Sequence, residues 1–165
     1  MGQAFCAGIV ALISKDKQAR VGDQRKRKPF QIPSHEIMPE PTNKRVRIRV
    51  GGIQLEAELK TSKTAEEIYK ALPVEDQLNV WGEEFYFKIP GVKDHRETAT
   101  TQVKVGDVAF WGAGQVLVIF FGRTPMSMGV DPVPADRVNI VGRILGDATM
   151  LRQAMASSRI RVEPL

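Results

Sequence analysis

With 165 residues, 42% hydrophobic and 26% charged, the chain suffices for one ordinary domain with an extension, and neither a disordered polymer nor a membrane protein is indicated. A single cysteine, Cys6, and two histidines, His35 and His95, provide no disulfide framework and no convincing zinc site. The expectation is therefore a cytoplasmic protein without metal or cofactor. The net charge of +5 lies at the N-terminal end: residues 1–45 hold nine Lys/Arg against four Asp/Glu, and the remainder balances at 15 against 15. The basic isoelectric point thus describes the extension and does not point to nucleic acid as a partner of the folded part.

In chain order, Phe5 to Ile13 is apolar but well short of the roughly 20 residues that span a bilayer. No Lys or Arg precedes Phe5, which argues against a secretory signal, and in "MGQAFC" Cys6 stands where a myristoylation site prefers Ser or Thr. Residues 14–43 combine "RKRKP" with Pro29, Pro33, Pro39 and Pro41 and lack periodicity, so residues 1–43 read as a disordered basic tail. Arg25 to Lys28 could grip phosphates, which keeps nucleic-acid binding through the tail as an alternative, although charge runs are usually only solvated.

The domain is expected over 44–165. "RVRIRV" and "IQLEAEL" alternate with period two around Gly51-Gly52 and predict a hairpin. In "TSKTAEEIYKAL", Ser62 or Thr64 can cap a helix that places Ala65, Ile68, Tyr69 and Leu72 on one face and ends at Pro73. "LNVWGEEFYFKIPG" is strand-like on both sides of Gly82, with Phe85, Phe87 and Ile89 on one face and Glu84, Tyr86 and Lys88 on the other. Val92 to Thr101 is polar and loop-like. "GDVAFW" is a strand after a tight turn, and Gln115 to Phe121 is apolar at nearly every position, as expected of a strand buried on both faces between an interior and a covering helix. A Pro/Gly/Asp-rich excursion follows, then "RVNIVGRI" as a strand, a short helix from Asp147, and "SRIRVEP" as a last edge strand. About eight short, mostly antiparallel strands with two short helices can hide their edges by closing into a β-barrel.

Three segments carry a resemblance: "WGEEFYF" at Trp81 to Phe87, "VGDVAFW" at Val105 to Trp111, and "FFGRTP" at Phe120 to Pro125. In this order they resemble the small prokaryotic group of cyclophilin-like proteins of unknown function, and more distantly the cyclophilin-type prolyl isomerases. The resemblance implies a closed cyclophilin-like barrel. It also implies that isomerase chemistry is mostly missing: Phe87 stands where the isomerases carry a carbonyl-binding Arg ahead of an Ile-Pro-Gly stretch, their closing His would fall near Val138, and only Gln115 has a counterpart. Weak prolyl isomerisation through Gln115 is the enzymatic alternative, lacking the positioned donor that such a barrier demands.

The candidate site is a mouth formed by Trp81 to Glu84, Trp111 to Gln115 and Phe121 to Pro125, binding a small molecule or peptide without catalysis. Its candidate ligand-binding residues are Trp81, Glu83, Glu84, Tyr86, Trp111, Gln115, Phe121, Arg123 and Thr124. Trp81 and Trp111 are large amphipathic rings beside glycines. Glu83 and Glu84, adjacent on a strand, point to opposite faces and make a poor acid/base pair. Arg123 could clamp an anion or pair with Glu83 or Glu84. His95 reads as a solvated loop residue and Asp107 as turn chemistry, while Met126 and Met128 could cover an apolar opening.

Overall fold

The computed structural model describes residues 43–165, so the expectations for the tail, Asn43 apart, lie outside the described residues. The expected hairpin forms: β1 (Arg45–Val50) pairs β2 (Ile53–Leu59), with Val50 opposite Ile53, and the turn places Gly51 at φ 54°. Val46, Ile48, Val50, Ala57 and Leu59 are buried on the inner face. The intervening Arg47 and Arg49 reach Glu163 at 3.6 and 3.3 Å on the outer one.

Helix α1 (Lys63–Ala71) starts at Ser62, whose hydroxyl accepts the Ala65 amide hydrogen at 3.2 Å. Ser62 is therefore the cap. Thr64, the second residue of the helix, is fully buried, and its hydroxyl donates to Glu97 at 2.7 Å. After α1 come β3 (Val74–Gln77), β4 (Asn79–Val80), β5 (Glu84–Lys88), β6 (Ala99–Thr100), β7 (Asp107–Trp111), β8 (Val116–Phe120), β9 (Val138–Leu145), a 3-10 helix (Ala148–Ala154) capped by Asp147, and β10 (Arg159–Pro164).

The ten strands form one antiparallel sheet in the order β3-β10-β1-β2-β9-β7-β8-β5-β4, with β6 on β9. Three expectations are corrected here. First, the ladder is not closed, because its two ends, β3 and β4, belong to one extended run interrupted only by Leu78, and a single run cannot pair with itself. That run is hydrogen-bonded at β3 to β10 and at β4 to β5, so chain continuity connects the ends where a ladder was expected. Second, β10 is no edge strand: it lies between β3 and β1, since the unforeseen β3 covers its outer side. Third, the strand count rises from about eight to ten, because β3 and β6, at four and two residues, are too short to show a period.

Two apolar clusters lie on opposite faces of β8. Leu117, Ile119 and Phe121 join the main core with Phe85, Phe87, Val108 and Phe110, into which α1 sends Ala65 and Ile68 and the 3-10 helix sends Ala148, Leu151 and Ala154. Phe121 stacks on Phe85 with ring centroids 4.5 Å apart. Val116, Val118 and Phe120 face the other way, with Val103, Ala109 and Val138, against Tyr86 and Ile140. β8 is therefore buried on both faces, as its composition predicts. Its second cover is the coil around Val103 and residues 134–137 with the start of β9, instead of a helix, because both helices are consumed by the main core.

Candidate functional site

The outward face of β5, β8 and β7 carries a recess of about 250 Å³. Its floor follows from strand register, with Tyr86 opposite Val118, Glu84 opposite Phe120, and Trp111 opposite Val116. Pro134, Ala135, Asp136 and Val138 form one wall, and Trp81 stands at the entrance to β5. The Trp111 indole donates from Nε1 to Asp136 Oδ2 at 3.2 Å, tying the end of β7 to the wall, and the ring remains 36% exposed.

Glu84 is the one carboxyl group on the floor. It is 8% exposed, and its Oε2 is buried without a hydrogen-bond partner. Desolvation pushes its carboxyl up to about 7, so near neutrality the group is half protonated and able to donate as well as accept. An orphaned carboxyl in an apolar recess is costly, and such groups concentrate where a ligand supplies the missing partner. Asp136 is instead held below its usual range by hydrogen bonds from the Arg137 amide and the Trp111 indole.

Four of the nine sequence-chosen residues, Trp81, Glu84, Tyr86 and Trp111, line this recess together. The other five lie elsewhere. Glu83 points to the opposite side, as adjacency on a strand requires, and pairs with Arg152 at the 3-10 helix. It also accepts the Arg123 amide hydrogen at 2.9 Å, and the Arg152 pairing leads the causes that lower its pKa. Arg123 thus has a carboxylate at its backbone, while its guanidinium donates to the Ser127 carbonyl at 3.3 Å. Thr124 is buried, its hydroxyl donating to the Val133 carbonyl at 2.6 Å, and fastens the excursion after β8. Phe121 is wholly inside the main core.

Gln115, at φ 51°, donates from Nε2 to the carbonyls of Val92 and Gly112 at 3.0 and 3.1 Å, which closes the turn before β8. Met126 and Met128 are 50% and 97% exposed and do not line the recess. Their expected covering role falls to Pro134 and Ala135, because the Thr124 to Val133 hydrogen bond folds the excursion back and leaves its tip in solvent.

Sequence reading missed Pro134 to Asp136, which sit in coil with no periodic signal, and it missed Asn139. Asn139 is 1% exposed: its amide donates to Thr64, Asp94 and Glu97 at 2.9, 3.2 and 2.9 Å, and its oxygen accepts from the Thr98 amide at 3.1 Å. This hub fixes the loop before β6. Against partial desolvation, the hydrogen bonds from Thr64 and Asn139 bring the Glu97 carboxyl down to about 2. Among the described residues no group of three or more His, Cys, Asp or Glu side chains is arranged to hold a metal ion, and no helix is long and apolar enough to cross a membrane.

A single wound antiparallel sheet plugged by two helices, with one apolar recess on its outer face, defines a class of small β domains organised around the inner and outer faces of one central strand. The family model described as Cyclophilin-like matches residues 44–163, and the chain belongs to that family. Among solved structures it is similar to the hypothetical protein AF2241 from Archaeoglobus fulgidus, with 31% identity, a TM-score of 0.66, and coverage of 78% of this chain and all of that one. It is also similar to McbB, whose structure was solved in complex with tryptophan, at 19% identity and a TM-score of 0.53, over 72% of this chain and 44% of that one. At that identity the likeness to McbB concerns the fold. No curated protein matches the sequence.

Proposed function

We propose that the domain is a binding module for a small, largely apolar molecule, held in the recess between Trp81 and Trp111 with one polar group turned to Glu84. The observation that carries this reading is the buried, unpartnered Glu84 Oε2 on an otherwise apolar floor. The volume suits a group about the size of an aromatic ring, at the lower end of ligand sites. Below about pH 7 the neutral carboxyl would donate to a carbonyl or hydroxyl, whereas an amine would draw it into its ionised form. An extended peptide side chain is the other occupant of matching chemistry.

Prolyl isomerisation is not part of this reading. The position at which the isomerases carry Arg is Phe87, fully buried in the main core, so no guanidinium at that position faces the recess. The test is a thermal-shift screen of fragment-sized aromatic compounds on the intact protein and on Val118→Trp, which fills the recess. Ligands that stabilise the parent and not the filled variant support the site. Equal stabilisation of both, with Val118→Trp shown to be folded by circular dichroism, would place binding elsewhere and end the proposal.

A further inference from the structure

A second recess of about 330 Å³ adjoins the first and shares Trp111 and Asp136 with it. Its character is different: Arg96 and Arg137 line it together with Asp94, Gly112 and Asn139. The two carboxylates are already engaged. Asp94 accepts the Arg96 amide at 2.9 Å and the Asn139 amide at 3.2 Å, and Asp136 accepts the Arg137 amide at 2.6 Å and the Trp111 indole at 3.2 Å. Neither guanidinium makes an ion pair or a hydrogen bond among the described residues, although both act on Asp136 through space. Among the described residues the ion pairs fall on other cations, and these arginines enter hydrogen bonds through their backbones alone: both amides donate to an aspartate, and the Arg96 carbonyl accepts from the Ala99 amide.

The surrounding loop is built with care for one side chain. Asp94, Glu97 and Thr98 are turned inward onto Thr64 and Asn139, and the intervening Arg96 sits at φ 53°, a conformation uncommon for a residue with a side chain. Gly112 lets the turn after β7 approach closely, since a Cβ there would fall 2.6 Å from the Asp94 Cβ. The backbone at each arginine is thus anchored by a hydrogen bond from its amide, which leaves only the two exposed side chains to be ordered by a ligand.

We infer that this second recess is an oxyanion subsite, in which Arg96 and Arg137 hold the carboxylate of a ligand whose apolar body occupies the first recess. The inference rests on the proposed function and names its ligand class: a small aromatic or branched monocarboxylate. Two guanidiniums stand against two carboxylates in this recess, so its formal charge is zero, which favours a singly charged group over a multiply charged phosphate. The planar guanidinium matches a carboxylate in two-point geometry.

The test measures affinities by calorimetry at low salt for phenylacetate, 3-phenylpropionate and 4-phenylbutyrate, each beside its uncharged primary amide. The parent is compared with Arg96→Gln/Arg137→Gln. At least one acid is expected to bind about tenfold more tightly than its amide, the double variant to erase that preference, and amide binding to persist unchanged. Acids no tighter than amides in the parent, or a preference that survives the double substitution, would overturn the oxyanion subsite and leave the apolar recess standing. Absence of binding by every acid and amide would overturn both. Titration with acetate, followed at the Arg96 and Arg137 Nε–H resonances, reads the subsite without the first recess. Shifts confined to these two resonances support it, and shifts spread over many surface cations count against it.

Discussion

Glu84 and Glu83 are neighbours in sequence and opposites in physics. The strand pleat sends Glu83 to a guanidinium and Glu84 to an apolar floor, so pairing lowers one pKa and desolvation raises the other. Because the folded value of Glu84 stands at about 7 against an ordinary 4.5, the unfolded chain sheds this proton first, and stability falls as pH rises from about 4.5 to about 7 and then levels. Glu84→Gln is expected to remove about 2 kcal/mol of that decline, measured by urea unfolding at pH 5 and pH 8. An unchanged difference between the two pH values would show that Glu84 ionises normally. Glu97 behaves in the opposite sense: its lowered value contributes stability above about 4.5 that is lost as pH falls toward 2. The adjacency of the two glutamates was legible in sequence and so was their divergence, but nothing local tells which of two opposite faces meets solvent.

At the scale of elements, alternation does most of the specifying. The run from β5 to Ile89 is apolar at Phe85, Phe87 and Ile89 and polar between them, and β8 is apolar throughout, because the other face of β5 lies at the margin of the second cluster, where Tyr86 is half-buried, while β8 has a core on each side. The turn before β5 depends on Gly82, at φ 64°, where a Cβ would lie 2.8 Å from the Arg123 carbonyl oxygen and 2.9 Å from the Thr124 Cα. Gly82→Ala is expected to cost at least about 2 kcal/mol, from left-handed strain plus a clash with backbone that cannot yield. Gly91→Ala, at φ 81° with nothing within 4 Å, should cost only about 1 kcal/mol. Thermal unfolding of the two variants checks the contrast, and equal losses would mean that packing at Gly82 is looser than described. Elements without a period, namely β3, β6 and the wall at 134–136, were not legible, since two to four residues cannot display one.

For the whole molecule, the open end of the ladder at Leu78 is the place where the sheet holds itself together least. The middle strands β7, β8 and β9 have neighbours on both sides and cores above and below, whereas β4 pairs through two residues alone. Native-state hydrogen exchange is expected to be about a hundredfold faster or more across Val74–Val80 than across Val116–Phe120, and uniform protection would show that the run at 74–80 opens only with the whole domain. The sequence by itself determined the hairpin, the helix cap region, the doubly buried strand and the pairing of aromatic with glycine at Trp81 and Trp111, because each depends on a local period or a backbone conformation. Only the tertiary structure decided that these two indoles share a recess, that the guanidinium pairing with Glu83 belongs to Arg152 and not to Arg123, and that Arg96 and Arg137 line one recess with Trp111. Those contacts join residues 15 or more apart along the chain, and their partners are chosen by strand order and register, which no local pattern encodes.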